Sequence, residues 1–191
     1  MASSFEFARE WGGELQSIEF ASPKPLLPSK STTFLYYAGI PKRFELATYQ
    51  QVRFDFLSVA TSLPSIWEHE MPEYSLPVQW AGLWRFGDIT YTQAKSWLCM
   101  EEVSGRIVAI DVEIDNPLYV VNTSIDAMMR CMKLLRDWVR STDGELAQRA
   151  QFTELISKYP DLDEGEANYF WLPLIEEAAE PGCEKVDLKY E

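Results

Sequence analysis

Between residues 106 and 139 the hydrophobic period of the chain switches once, from two to about 3.6, and this switch restricts the possible folds more than any other feature. Val108, Ile110, Val112 and Ile114 share one parity while Asp111 and Glu113 take the other. Side chains alternate across a strand, so residues 106–114 predict a strand with one buried face and one partly wet, acidic face that Asp115 extends. Asn122-Thr123-Ser124 then opens a helix, with Thr123 and Asp126 at the spacing of a capping box. Ile125, Met128, Met129, Met132, Leu135 and Val139 follow at intervals of three or four, a single apolar stripe. Such a stripe must lie against an apolar surface, and the preceding sheet is the nearest.

The same two periods organise the rest of the chain. A short helix is expected around residues 5–20, followed by a connector at 22–30 with three prolines in SPKPLLPSK. Residues 31–39, STTFLYYAG, have polar residues at the start and a Gly-Ile-Pro stop, the punctuation of a short buried helix. Further strands are predicted at 46–56, 83–89, 95–100 and 118–121, with turn signals at Gly87-Asp88, Ser104-Gly105 and Asn116-Pro117. An antiparallel meander is the economical arrangement. Two more helices are expected at 145–158 and 164–180, the second interrupted by Pro173, and Tyr169, Phe170, Trp171, Leu172, Leu174 and Ile175 make it the most apolar part of a tail that should be anchored.

At 191 residues, with 47% hydrophobic and 14% aromatic side chains, the chain suits one domain over 1–191. Within it, residues 143–191 form an acidic helical extension packed on the remainder, since they carry thirteen acids against four bases. The net charge of −13 has the wrong sign for gripping phosphate backbones or anionic lipid, so direct nucleic-acid and membrane binding are not expected and a basic partner is. No signal-peptide pattern opens the sequence, and no apolar run reaches the 18 residues of a span. Three cysteines without CxxC spacing indicate neither a disulfide framework nor a zinc knuckle, and suit a reducing cytoplasm.

The residues that carry catalysis are sparse. The one histidine, His69, begins an HE pair but lacks the second histidine of a zinc-protease helix, and reads as a solvated loop residue. No GxSxG elbow and no glycine-rich phosphate loop occurs. Asp111, Glu113 and Asp115 could pair as catalytic carboxylates or ligate calcium, yet the loop lacks the ligand density and glycine of an EF-hand, and a solvated or partner-facing role suits them better. Trp80, Trp84 and Trp97, with Phe86 and Tyr91, could form a stacking platform; at strand spacing such aromatics usually belong to the core. No catalytic, cofactor or metal-binding residue is therefore expected.

Four stretches carry a more specific signal: FLYYAGIP at 34–41, LWRFGDI at 83–89, WLCMEEVSGRIV at 97–108 and VVNTSIDAMMRCMKLL at 120–135. In that order the chain resembles the SUKH superfamily and, within it, the fourth group of bacterial immunity proteins. It carries Met100-Glu101 where members often have an aspartate, and Met128 or Met129 where an aromatic commonly follows the helix start. The resemblance implies an α+β fold with a twisted, mostly antiparallel sheet of about five to six strands packed against several helices. It also implies no enzymatic activity, but binding and neutralisation of a cognate polymorphic or contact-dependent toxin, often a nuclease or a nucleic-acid deaminase.

Joined to the charge, the resemblance predicts a toxin-facing acidic surface formed by Asp111, Glu113 and Asp115, by Glu68, Glu70 and Tyr74 in the loop at 68–74, and by Glu101 and Glu102. Two other functions compete. Eukaryotic relatives act as interaction modules, including regulators of fungal cell-wall synthesis, and a regulatory or scaffolding role is one alternative. The other is a small hydrolase or carbohydrate-binding protein that uses the aromatic and acidic residues.

Overall fold

Val52, Phe54 and Phe56 are buried while Arg53, Asp55 and Leu57 between them are half-buried, the two-residue period of a strand with different surroundings on its two sides. The structure, a computed structural model, describes residues 4–46, 52–91, 94–111, 118–140 and 170–171. In chain order its elements are α1 (Ser4–Trp11), β1 (Glu19–Phe20), α2 (Ser29–Tyr37), β2 (Arg43–Leu46), β3 (Val52–Ser62), α3 (Leu63–Glu70), a 3₁₀ turn (Val78–Trp80), β4 (Leu83–Tyr91), β5 (Ala94–Glu101), β6 (Ile107–Asp111), β7 (Leu118–Asn122) and α4 (Ile125–Arg140). The seven strands form one sheet in the order β1-β3-β4-β5-β6-β7, with β2 also on β3. All pairs are antiparallel except β1 with β3, so the fold is α+β and its meander is the expected one.

Each face of the sheet has its own core. On the inner face Phe54, Phe56, Phe86, Ile89, Leu98, Met100, Ile107 and Ala109 pack with Phe7 and Trp11 of α1, Phe34 and Leu35 of α2, and Ile125, Met128, Met129, Met132 and Leu135 of α4. The methionines are fully buried at the predicted spacing. On the outer face Trp97, Cys99, Val108 and Ile110 pack with Leu63 and Ile66 of α3 and with Trp80. From Ile107 to Ile110 both faces of this segment are buried, because a helix layer covers each side, and Asp111 at the strand end is half-buried.

Several boundaries differ from those expected. The first helix stops at Trp11, before Gly12 at φ +69°, instead of running toward residue 20. The strand expected at 46–56 is two strands, β2 and β3, paired from Arg43 opposite Asp55 to Leu46 opposite Val52. Gly87-Asp88 is no turn but lies inside β4, where the register with β5 jumps between Arg85 and Gly87. The start of α4 is capped by Ser124, whose Oγ accepts the Ala127 amide at 3.2 Å, while Asp126 pairs with Arg130 at 3.0 Å. The turn signal at Gly39 is met: φ is +75°, and a Cβ there would sit 2.8 Å from the Gln16 carbonyl oxygen. Asn116-Pro117 and the predicted helices at 145–158 and 164–180 fall outside the described residues, apart from Phe170 and Trp171, which are helical and buried in the inner core.

Candidate functional site

The outer face is half apolar and half charged. Across β2, β3, β4, β5 and β6 one row of directly opposed residues reads Arg43, Asp55, Asp88, Trp97, Ile110. The adjacent row reads Glu45, Arg53, Thr90, Lys95. Opposed residues project to the same side of a sheet, so the charges on β2–β5 adjoin the apolar patch capped by α3.

A bulge completes this arrangement. Residues three apart on a regular strand point to opposite faces, but the register jump in β4 adds one residue at Phe86 and restores the parity of Arg85 with Asp88. Arg85 therefore chelates Asp88: Nε and Nη2 donate to Oδ1 at 3.0 and 2.8 Å, and Nη2 also donates to Oδ2 at 3.0 Å. Lys95 Nζ reaches the same carboxylate at 2.9 Å, and the guanidinium of Arg85 lies 4.8 Å from the Trp97 ring centroid. Asp55 plays the matching part on β3, accepting from Arg43 Nε at 2.8 Å and Arg53 Nε at 2.6 Å. Partial burial pushes the Asp55 carboxyl up, and the hydrogen bonds and charges of Arg43 and Arg53 outweigh it, so it stays below the ordinary carboxylate value.

Among the described residues of these two rows and the bulge, four cations thus stand with three carboxylates on one face of a chain whose net charge is −13. Asp88 is nearly buried, with 9% of its side chain exposed, while Arg53 and Lys95 are 42% and 52% exposed. Asp88 holds Lys95 in place, and the half-buried Asp55 holds Arg53.

Of the residues expected to face a partner, Asp111 and Glu101 stand at opposite ends of the neighbouring strands β6 and β5. Asp111 ends β6 opposite Ser96, on the parity of Ile107 and Ala109 and so at the rim of the inner face. Glu101 ends β5 at its other end, about 16 Å from Ser96 along the strand. It accepts the Ser104 hydroxyl and lies 3.6 Å from Arg106 Nε, while Glu102 Oε1 accepts the Leu26 amide at 2.9 Å. Glu68 and Tyr74 do come together, lining a cleft of about 220 Å³ with Trp67 and Met71 beside α3, and Glu70 is exposed at the end of that helix. Glu113 and Asp115 lie outside the described residues.

The other chemistry-bearing residues take structural places. His69 is exposed, in the last turn of α3 instead of a loop. Trp80, Trp84 and Trp97 are each 5% exposed and Phe86 is fully buried, so the aromatics form core and offer no open platform. Cys99 and Cys131 are buried and unbridged, and burial pushes both thiols up, Cys131 to about 12. Among the described residues no group of three or more His, Cys, Asp or Glu converges as a metal site.

The charged half of the outer face was not among the expected sites. Its signal is the sequence RFELATYQQVRFDF at 43–56, where Arg43, Glu45, Arg53 and Asp55 alternate with apolar residues. That pattern indicates a strand with a charged side, but Asp88 read as a turn residue conceals its place on the same face.

Set against known proteins, residues 7–163 match the family model described as SUKH-4 immunity protein. No curated protein and no solved structure matches the chain.

Proposed function

The chain belongs to the SUKH-4 immunity protein family, and on that premise we propose that it neutralises a cognate toxin by binding it in the cytoplasm, without catalysis of its own. The observation that carries this proposal is the family match, which spans every strand of the sheet. The net charge of −13 supports a toxin that works on a nucleic acid, a nuclease or a deaminase, because such an enzyme keeps a basic surface for its phosphate-bearing substrate. Complementary potentials would draw the two proteins together at up to about 10⁸ M⁻¹s⁻¹ at low salt, while desolvated anchors would supply most of the affinity.

Within this proposal Glu68 and Tyr74 at the α3 cleft, Glu70 at the end of that helix, Glu101 and Glu102 at the β5–β6 turn, Asp111 at the end of β6, and Glu113 and Asp115 after it in sequence are the residues that meet the toxin. Co-expression with the product of the adjacent gene tests the function: rescue of growth together with a stable complex is the expected result, and the absence of both refutes it. Reversing the charge of Asp111 and Glu113 tests the surface. Weaker binding with a shallower salt dependence is expected; unchanged affinity and salt dependence would remove those two residues from the interface.

A further inference from the structure

We propose that the charged half of the outer sheet face is a carboxylate-reading part of the docking surface, in which Arg53 and Lys95 engage an acidic side chain of an otherwise basic protein partner. The proposal rests on the immunity function above and adds the chemistry of one contact to it.

Three observations carry it. The first is unspent donor capacity. Arg53 gives Nε to Asp55, and Lys95 gives one N–H to Asp88, and neither makes another bond among the described residues. A guanidinium has five donors and an ammonium three, so the outer edge of each group stays available to an acceptor. The second is preorganisation. Asp55 is held between two arginines and Asp88 between Arg85 and Lys95, so both outer cations already stand on anchored carboxylates and lose less side-chain freedom when they bind. The third is spacing. Arg53 and Lys95 flank Thr90 in one row across three strands, about 10 Å apart at the backbone, with only the short threonine opposed to both.

The identity of the occupant follows from the two scales of charge. A polyanion such as DNA would also suit these two cations locally, but it would have to approach a molecule of net charge −13 to reach them. A net-basic protein is attracted at long range and can still present a carboxylate at this position. Arginine recognises a carboxylate by paired donors, so the contact fixes the orientation that diffuse attraction leaves undetermined.

The test uses the full chain and a catalytically inactivated product of the neighbouring toxin gene, with affinity measured by calorimetry. Arg53→Gln with Lys95→Gln should weaken binding at least tenfold, with Lys30→Gln on α2 staying within twofold of the unaltered protein. General attraction predicts the opposite sign, because both substitutions make the chain more acidic. If the double variant binds as tightly as the parent or tighter, and the parent still rescues growth, the carboxylate contact is wrong and the immunity function stands. If the parent neither binds nor rescues, both fall. Binding of a labelled DNA duplex by the parent, lost in the double variant, would overturn the protein-carboxylate assignment in favour of nucleic acid. Lys95→Gln alone, at a half-exposed site, should cost at least threefold and keeps the test decisive if the double variant does not fold. Replacing toxin carboxylates one at a time should find one whose effect disappears in the Arg53→Gln background.

Discussion

Arg136 is 3% exposed and carries a charge into the inner core, a costly placement unless every donor finds a partner. It donates to the Trp11 and Glu10 carbonyls, pairs with Asp137 at 2.9 Å and stacks 4.4 Å from the Trp11 ring centroid. The last carbonyls of α1 have no intrahelical partner, so this one side chain both completes that helix and fixes it to α4. Arg136→Ala should cost about 3 kcal/mol of stability, read from the urea midpoint, because it removes the ring contact and leaves two carbonyls poorly satisfied. Asp55 gives a pH dependence. Its folded carboxyl lies below the ordinary value of 3.8, so its pairing stabilises the protein above that value and the contribution is lost as pH falls through the lower, folded value. Urea midpoints measured from pH 6 down to pH 2.5 should fall less steeply below pH 4 in Asp55→Asn than in the parent, the difference between them narrowing with acid.

Gly87 shows the same dependence on neighbours at the level of an element. A Cβ at this position would approach the Asp55 carbonyl oxygen to 2.8 Å, so β3 and β4 can pair this closely at the bulge only with glycine there. Gly87→Ala should push the strands apart, cost about 1–3 kcal/mol, and disturb the Asp55 and Asp88 pairs on either side of the bulge. Chemical denaturation reads the stability, and the carboxyl resonances of Asp55 and Asp88 read the pairs. The elements themselves were mostly legible. β4, β5, β7 and α4 lie where hydrophobic period places them, because that period is a local property of the chain. The turn at Gly87-Asp88 was misplaced because a Gly-Asp pair has the same composition in a turn and in a bulge, and only pairing with β3 and β5 distinguishes them. The division of 46–56 was missed because β2 begins three residues earlier and returns on itself, so its strand signal merged with that of β3.

Over the whole molecule, Phe170 and Trp171 are the described residues of the tail that join it to the sheet. Trp171 is 2% exposed, stacks near Phe54 and donates Nε1 to both the Val121 carbonyl and Asn122 Oδ1 at 3.0 Å. Trp171→Ala should cost about 3–5 kcal/mol. Thermal unfolding should remain a single transition at a lower midpoint if the extension and the sheet melt as one unit; a new, separate transition would show that they are independent. The acid excess after residue 143 is thus carried by a segment with an anchor in the inner core, while the cations at Arg43, Arg53, Arg85 and Lys95 gather on the outer face. By itself the sequence determined the α+β class, the meander, the α4 stripe and the buried Phe170-Trp171 anchor, since each is written in the spacing of apolar residues along a short stretch. The tertiary structure alone decided that both faces of β6 are covered from Ile107 to Ile110, that Asp111 and Glu101 stand at opposite strand ends, and that Arg85, Asp88 and Lys95 meet beside Asp55. Those outcomes depend on strand register and one inserted residue, and register is set by contacts between segments far apart in the chain.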